Sequence, residues 1–168
     1  VDVIQFDEPA FNVYMADAAE WGVQALERAA QGLTCTTAVH ICYGYGIQAN
    51  LDWKKSLGSE WRQYEEIFPA LNASRIDQVS LECAGSNVPL SLLRLLPDKQ
   101  LMVGAIQVTG DRVESPAEVA ATLRAAGCEV HELALLARCQ ALVSDPRKGL
   151  NMFVLGLLCH LYSLDAAL

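Results

Sequence analysis

Four residues of this chain could together form one zinc site. His40 and Cys42 are two positions apart in one apolar run, and Glu82 ends another such run. Alternate residues of a β-strand point to the same face, so we expect His40 and Cys42 on one face. A late cysteine, most plausibly Cys139, completes a set of nitrogen, sulfur and oxygen ligands. Such a set suits Zn²⁺ acting as a Lewis acid, because a thiol substrate can take a position at the metal.

The spacing alone leaves a plainer alternative open. A His-x-Cys pair is weak evidence by itself, since a buried strand can hold a hydrogen-bonded histidine and an inert cysteine. If His40, Cys42 and Glu82 do bind one ion, Zn–ligand distances of about 2.0–2.3 Å require their side-chain ends to converge within roughly 5 Å of one point. Asp7 ends the first apolar run and should lie on the same rim, unless it simply faces water or caps the next helix.

The elements predicted to position these residues alternate between strand and helix. Apolar and β-branched runs predict strands over residues 3–6, 37–42, 77–82 and 101–108. Helical spacing predicts helices over residues 18–30, 90–96 and 115–126, the last of which begins with the capping-box pattern Ser115-Pro116-Ala117-Glu118. Residues 51–71 are interpreted as an excursion that ends in a helix. This alternation predicts a parallel sheet, and acidic, His and Cys residues at strand ends are typical of a (β/α)8 barrel active site.

Composition limits the classes of protein to consider. A length of 168 residues with 52% hydrophobic residues fits one domain with a substantial core. A formal charge of −8 argues against nucleic acid as a partner, because phosphate binding needs a basic face. Six cysteines in so long a chain favour a reducing cytoplasm over a disulfide scaffold. No leader pattern is visible, and the start at Val1 rather than Met predicts that the sequence begins within a longer protein.

Several stretches resemble the catalytic barrel of cobalamin-independent methionine synthases. The motifs are DVIQFDEPA from Asp2, HICY from His40 and SLE from Ser80. CYGYG from Cys42 and the stretch over residues 52–66 resemble the short "core" members of that family, which have only the catalytic barrel. The resemblance covers residues 1–126 and implies the later part of a TIM (β/α)8 barrel, roughly strands four to eight.

The resemblance also implies an activity and a role for each motif. Similar proteins transfer a methyl group to the thiolate of zinc-bound homocysteine, which gives methionine. The family's His, Cys and Glu ligands correspond to His40, Cys42 and Glu82. The Asp of its Asp-Glu-Pro-Ala motif corresponds to Asp7, which would bind the substrate ammonium group through charge-assisted hydrogen bonds. Ser80 shares a strand face with Glu82 and is predicted either to contact a metal ligand or to neighbour the substrate.

Two departures from the family pattern affect these predictions. Thr109 aligns with a histidine that protonates the leaving group in the folate-dependent members, and threonine cannot act as a general acid at about pH 7. We therefore expect methyltetrahydrofolate or methylcobalamin as the methyl donor, and Thr109 favours methylcobalamin or a partner-delivered group. The family's fourth ligand lies in an Asn/Asp-Cys-Gly-Met motif, which this sequence lacks, although Cys139 lies at nearly the expected distance after Glu82.

From Gly127 onward the sequence no longer resembles the family. This predicts a partial barrel over residues 1–126 and a divergent tail over residues 127–168, which belongs to the same domain or is disrupted. The apolar stretch over residues 151–162 is shorter than the ~18–20 residues that a membrane-spanning helix needs. It fits either a buried C-terminal helix or an exposed apolar end that promotes association.

Two classes of function follow from these observations. The first is a zinc-dependent homocysteine methyltransferase, and the second is a non-catalytic fragment of such an enzyme without the full zinc site. A partial barrel leaves unpaired strand edges, so we expect self-association or a missing N-terminal half. Part of the substrate pocket is expected to be missing and the motif of the fourth ligand is altered, so we expect the isolated chain to form no methionine with either methyl donor.

Overall fold

A computed structural model describes residues 1–42, 48–107, 111–131, 133–143 and 145–162. The chain divides into two compact units, Val1–Val130 and His131–Leu168, and each is described by itself. The predicted domain boundary after residue 126 stays a prediction.

The first unit is built on a parallel sheet with the strand order β1-β2-β3-β4. The strands are β1 (Val3–Asp7), β2 (Thr36–Ile41), β3 (Gln78–Glu82) and β4 (Gln100–Gly104). Each corresponds to a strand predicted from an apolar run, which confirms the α/β class with a parallel sheet. β4 ends earlier than predicted, at Gly104, and Val108 lies outside the described residues.

Helices and short turns connect the strands. The helices of this unit are α1 (Met15–Asp17), α2 (Val23–Ala29), α3 (Gln48–Lys55), α4 (Phe68–Ala73) and α5 (Pro116–Ala125). A π-helical stretch, Ala18–Gly22, joins α1 to α2, and 3-10 turns form at Pro9–Asn12, Gln63–Glu65 and Leu90–Leu95. The capping box at the start of α5 is confirmed, since the Ser115 side chain accepts from the Glu118 N–H and the Glu118 carboxylate accepts from the Ser115 N–H. The predicted helix over residues 90–96 is a 3-10 turn instead.

The two faces of the sheet have different surroundings. One face carries apolar side chains that pack in the hydrophobic core with residues of the helices and turns, and its members are Phe6, Val39, Ile41, Val79, Leu81, Leu101 and Val103. Full burial of one such side chain contributes about 1.5–3 kcal/mol, against about 0–1 kcal/mol for a surface ion pair. The core face therefore fixes the register, and with it the residues of the opposite face. That opposite face is more polar, and Gln5, Asp7 and Met102 on it are exposed.

The second unit contains two helices, α6 (Leu135–Gln140) and α7 (Pro146–Leu161). Cys139 lies on α6 and is buried, with its Sγ 3.4 Å from the point where a Cβ on Gly149 would lie. The segment Leu135–Gln140 has no β-branched residue and consists mainly of strong helix formers, so a helix is the expected local structure. Strands four to eight would be five strands, whereas the described residues contain four, and the partial barrel is not confirmed.

Of the helices in the described ranges, none combines the length and the apolar character that a membrane-spanning helix needs.

Candidate metal and substrate site

One row of side chains crosses the polar face of the sheet near the carboxyl ends of the strands. The strand register pairs Asp7 with His40, His40 with Ser80, and Ser80 with Met102. Neighbouring strands lie about 4.7–4.9 Å apart, so adjacent members of this row can interact directly. The predicted substrate residues Asp7 and Ser80 therefore flank the predicted metal ligand His40.

His40 is oriented by Ser80. The His40 Nδ1 atom and the Ser80 Oγ atom lie 3.0 Å apart, which is hydrogen-bonding distance. A ring nitrogen that is held in this way fixes the orientation of the imidazole and leaves the other nitrogen, Nε2, as the potential metal ligand.

Cys42 and Glu82 lie one step beyond that row. Ile41 pairs with Leu81 in the register, so Cys42 follows β2 at the level where Glu82 ends β3. Gly104 of β4 pairs with Glu82, and a Cβ on Gly104 would lie 3.1 Å from the Glu82 Cα atom. A side chain at position 104 would press against the backbone of Glu82, and glycine thus allows β4 to lie close to Glu82.

Asp7 and Glu8 have different environments although they are adjacent in sequence. Asp7 is exposed and accepts a hydrogen bond of 2.8 Å from Gln5 Nε2. Glu8 lines a cavity of about 170 Å³ together with Phe11, Tyr14 and Trp21, and burial raises its pKa above the ordinary value. Asp7 is thus the acid in the row with His40. Its role in binding the ammonium group of the substrate stays a prediction.

The side chain of Asn12 connects the turn after β1 with the end of β2. Its Nδ2 atom donates to the Pro9 carbonyl oxygen at 2.7 Å and to the carbonyl oxygen of Cys42. Asn12 is 1% exposed. Its Oδ1 atom is buried and accepts no hydrogen bond from the part of the chain that the structure describes.

Lys54 is a cation next to the predicted ligands. It ends α3 with Lys55, but only 6% of Lys54 is exposed, and its Nζ atom lies 5.7 Å from the centroid of the Trp61 ring. Burial lowers the pKa of Lys54, and the negative charges of Cys42 and Glu82 oppose that change. Cys42 and Glu82 therefore lie within electrostatic reach of the Lys54 ammonium group.

The donors fit zinc in chemical type and in strand position, since imidazole, thiolate and carboxylate stand on one face at neighbouring strand ends. Their expected convergence is not seen, because within the described ranges no three His, Cys, Asp or Glu side chains form a group that could hold a metal ion. His40 contacts Ser80 through Nδ1, and the Lys54 ammonium group lies within electrostatic reach of Cys42 and Glu82. Cys139 belongs to the second unit, and its role as a ligand stays a prediction. Thr109 lies outside the described residues.

Two residues near this site, Lys54 and Asn12, were not identified from the sequence. Lys54 and Lys55 are adjacent and identical in type, yet Lys55 is exposed and pairs with Asp52 at 2.9 Å. Only the fold shows which of the two is buried. Asn12 follows Pro9 by three positions, and Pro9 shows only that the strand ladder ends, because proline has no N–H to donate.

Residues 1–151 match the family described as the catalytic domain of cobalamin-independent synthases. The matched range extends past residue 126, where the recognisable motifs end.

Curated relatives of the chain are named methionine synthase. A methionine synthase from Saccharolobus islandicus is 33% identical over 124 residues, which are 73% of this chain and 32% of that protein. One from Sulfurisphaera tokodaii is 28% identical over 123 residues, which are 73% of this chain and 30% of that protein. The chain thus spans about a third of the length of the curated relatives that it matches.

A solved structure is more similar in sequence. The structure of a B12-independent methionine synthase from Shewanella sp. W3-18-1 in complex with selenomethionine is 63% identical, with a TM-score of 0.68. The similarity covers 75% of this chain and 37% of that one.

These descriptions correct one prediction. Both the family and the solved structure are independent of cobalamin, so methylcobalamin, the donor that Thr109 favours in the sequence, does not fit as the methyl donor. The absence of a histidine at position 109 was too weak a guide, because a proton donor can come from another part of a site. With residues 1–151 matching its catalytic domain, the chain belongs to the cobalamin-independent synthase family.

Proposed function

We propose that the chain contributes the zinc and homocysteine side of a methionine synthase site, in which a methyl group passes to the homocysteine thiol. The observation that carries the proposal is the row Asp7–His40–Ser80, with Cys42 and Glu82 one step beyond it. The named relatives support the same activity.

Each residue has a distinct part in this proposal. His40, Cys42 and Glu82 would hold zinc, with Cys139 as the proposed fourth ligand. The bound ion would lower the pKa of the substrate thiol so that the sulfur is a thiolate at neutral pH. Ser80 orients the His40 ring through Nδ1. Asp7 would bind the ammonium group of the amino-acid substrate by a charge-assisted hydrogen bond.

The methyl donor is proposed to be a methyltetrahydrofolate of the kind that cobalamin-independent synthases use. The sheet is proposed to be the later part of a TIM barrel whose interior is the polar face, because inward side chains of such barrels lie in rows across the strands. A cytoplasmic location is proposed from the six free cysteines. The selenomethionine in the Shewanella structure supports an amino-acid ligand for the proposed site.

Replacement of Cys42 by serine tests the metal assignment. We expect zinc affinity to fall by about 100-fold or more, because a hard hydroxyl oxygen replaces a soft thiolate. Elemental analysis after dialysis against a zinc buffer measures the metal content. Cys35→Ser is the matched control, since Cys35 precedes β2 and so lies at the opposite end of the strand from Cys42. Unchanged zinc content in Cys42→Ser would end the site assignment.

A non-catalytic role is the second candidate function. One observation in its favour is that no three-ligand group forms within the described residues. The other is that the chain spans only about a third of the length of its relatives. Zinc content separates the two candidates, because a non-catalytic fragment needs no metal and its zinc content should not depend on Cys42.

A further inference from the structure

The hydrogen-bond ladder between β1 and β2 stops one step short of Cys42. The last backbone bond from this end of β1 runs from the Glu8 N–H to the His40 carbonyl, at 2.9 Å. In a parallel ladder the donors on one strand alternate, so the next bond would run from the N–H of Ala10 to the carbonyl of Cys42. The chain turns away at Pro9 into the 3-10 turn Pro9–Asn12, and that backbone donor is lost.

The carboxamide of Asn12 supplies the missing donor. Its Nδ2 atom donates one hydrogen to the Cys42 carbonyl and the other to the Pro9 carbonyl at 2.7 Å. The side-chain amide therefore takes the place of a peptide group in the ladder and binds both chain segments at once. The bond to Cys42 joins residues 30 positions apart, so it fixes tertiary rather than local structure.

The burial of Asn12 carries a cost that its two hydrogen bonds offset. Asn12 is 1% exposed, and its Oδ1 atom is buried without a partner among the described residues. An unpaired buried oxygen opposes folding, but an apolar side chain here would leave the carbonyl oxygens of Pro9 and Cys42 without the Nδ2 donor. The Asn12 amide thus fixes the Cys42 backbone relative to the turn that follows β1.

We infer that Asn12 is a positioning residue for the Cys42 thiol. By holding the Cys42 carbonyl, the Asn12 amide sets the direction in which the Cys42 Cβ–Sγ bond leaves the backbone, on the face that carries His40. The inference rests on the proposed function, in which Cys42 is a metal ligand. It adds that the site depends on a residue that touches neither metal nor substrate.

Asn12→Asp in the full 168-residue chain is the decisive variant. Aspartate has the same shape but no hydrogen to donate, so both bonds are lost. The extra negative charge alone would strengthen cation binding, and a weaker metal site can therefore be assigned to lost positioning. We expect the zinc affinity, measured by competition with a chromophoric chelator, to fall by about 10–100-fold. We also expect the thiolate-to-metal charge-transfer band of the Co²⁺-loaded protein to weaken.

Asn12→Ser is the second variant, and it is expected to lose less affinity, since a hydroxyl can donate to one of the two carbonyls. Asn72→Asp is the control, because Asn72 is bonded to Asp98 on the surface and should leave both readouts unchanged. Circular dichroism checks that each variant is folded, and the judgement rests on Asn12→Ser if Asn12→Asp is not.

The outcomes separate this inference from the proposal beneath it. If Cys42→Ser loses zinc while the folded Asn12 variants keep wild-type affinity and band intensity, the positioning role is wrong and the zinc site stands. If Cys42→Ser keeps its zinc, both the zinc site and the role of Asn12 are wrong. If the Cys42 variant and the Asn12 variants all lose zinc affinity and band intensity, the zinc site and the positioning role of Asn12 are supported together.

Discussion

The side chain that orients His40 is a neutral hydroxyl rather than a carboxylate. Ser80 Oγ lies 3.0 Å from His40 Nδ1, and either atom can be the donor, depending on the tautomer of the ring. A hydroxyl orients the ring without adding a charge beside the predicted ligands Cys42 and Glu82. Lys54 of α3 lies within electrostatic reach of both residues.

Removal of the Ser80 hydroxyl should loosen the imidazole. We expect Ser80→Ala to lower zinc affinity by about 10-fold, because outer partners of metal-binding histidines typically contribute 10–100-fold. Chelator competition measures the change. Ser91→Ala is the control, since Ser91 is exposed on the 3-10 turn after β3. Equal losses in both variants would show that the effect is not specific to His40.

At the residue scale, periodicity could predict part of the site. The two-residue spacing of His40 and Cys42, and of Ser80 and Glu82, placed each pair on one strand face, and the structure puts these strands side by side. The roles of Asn12 and Lys54 could not be predicted in this way, because each depends on contacts between elements far apart in sequence. The buried state of Lys54 and the exposure of Lys55 differ only through the packing of α3.

Among the elements, the amino-terminal ends of the strands are joined by Asp77. Its carboxylate accepts hydrogen bonds from the Thr37 N–H at 2.8 Å and from the Thr37 hydroxyl at 3.0 Å. These bonds hold the pKa of Asp77 below its ordinary value. The backbone of Asp77 also bonds to Thr37 of β2 and Gln100 of β4, so one residue ties three strands together at the end opposite to the candidate site.

Asp77→Ala should destabilise the first unit in a pH-dependent way. We expect a loss of about 1 kcal/mol at neutral pH, since hydrogen bonds to charged groups contribute about 1.5–3 kcal/mol and solvent exposure reduces that value. A depressed pKa means that the stabilisation is present above the unfolded pKa of about 3.9 and disappears as pH falls through the folded value. The difference from wild type should therefore shrink below about pH 3.9.

Urea unfolding at neutral and at acidic pH measures this difference. Asp2→Ala is the matched control, because the Asp2 side chain is exposed and makes no hydrogen bond within the described residues. A loss in Asp77→Ala that is equally large under acid would contradict the assigned role of the carboxylate.

Strand positions could be predicted where apolar and β-branched residues form a run. The start of a helix could be predicted where a capping box is present, as at Ser115. Element ends were less predictable. β4 stops at Gly104, whose carbonyl accepts from the N–H groups of both Cys83 and Ala84, at 3.0 and 2.7 Å, as β3 ends. That double contact depends on tertiary structure. Cys139 is predicted as the fourth ligand from its distance after Glu82 in the sequence. The local propensity of its segment is helical, and the segment forms α6.

At the scale of the whole molecule, apolar surface is exposed in each unit. Val3 and Met102 on the polar face of the sheet are 48% and 40% exposed, and β1 and β4 each pair with a single strand in the described sheet. In the second unit, α7 exposes Met152, Leu155, Leu158 and Leu161. Exposed apolar patches and strand edges of this kind promote association.

We expect the isolated chain to self-associate in a concentration-dependent manner. The double variant Leu155→Lys/Leu158→Lys should reduce the associated fraction, as measured by size-exclusion chromatography with light scattering. Gln24→Lys, on the exposed side of α2, is the control for added charge. A wild-type chain that stays monodisperse and monomeric at high concentration would contradict this expectation.

We further expect the 168-residue chain alone to form no methionine from homocysteine and methyltetrahydrofolate. Asp7 is exposed and His40 is only half-buried, whereas precise placement of both reactants needs an enclosed site. Mass spectrometry of the product provides the measurement, with the full-length Shewanella relative as positive control. Turnover at ordinary enzymatic rates would show that the residues present suffice, and family membership would be unaffected.

The parallel sheet also has a consequence for how the chain reaches its fold. Each strand pair is closed by a long crossover, and Thr37 meets Asp77 across 40 positions of sequence. Contacts of such high sequence separation form slowly, because the entropy of loop closure must be overcome before they become favourable. Local structure such as the capped helix α5 can form early, and the ends of the strands that carry His40 and Glu82 come together late. Synthesis at low temperature or slow translation should therefore favour soluble protein over aggregates of unpaired strands.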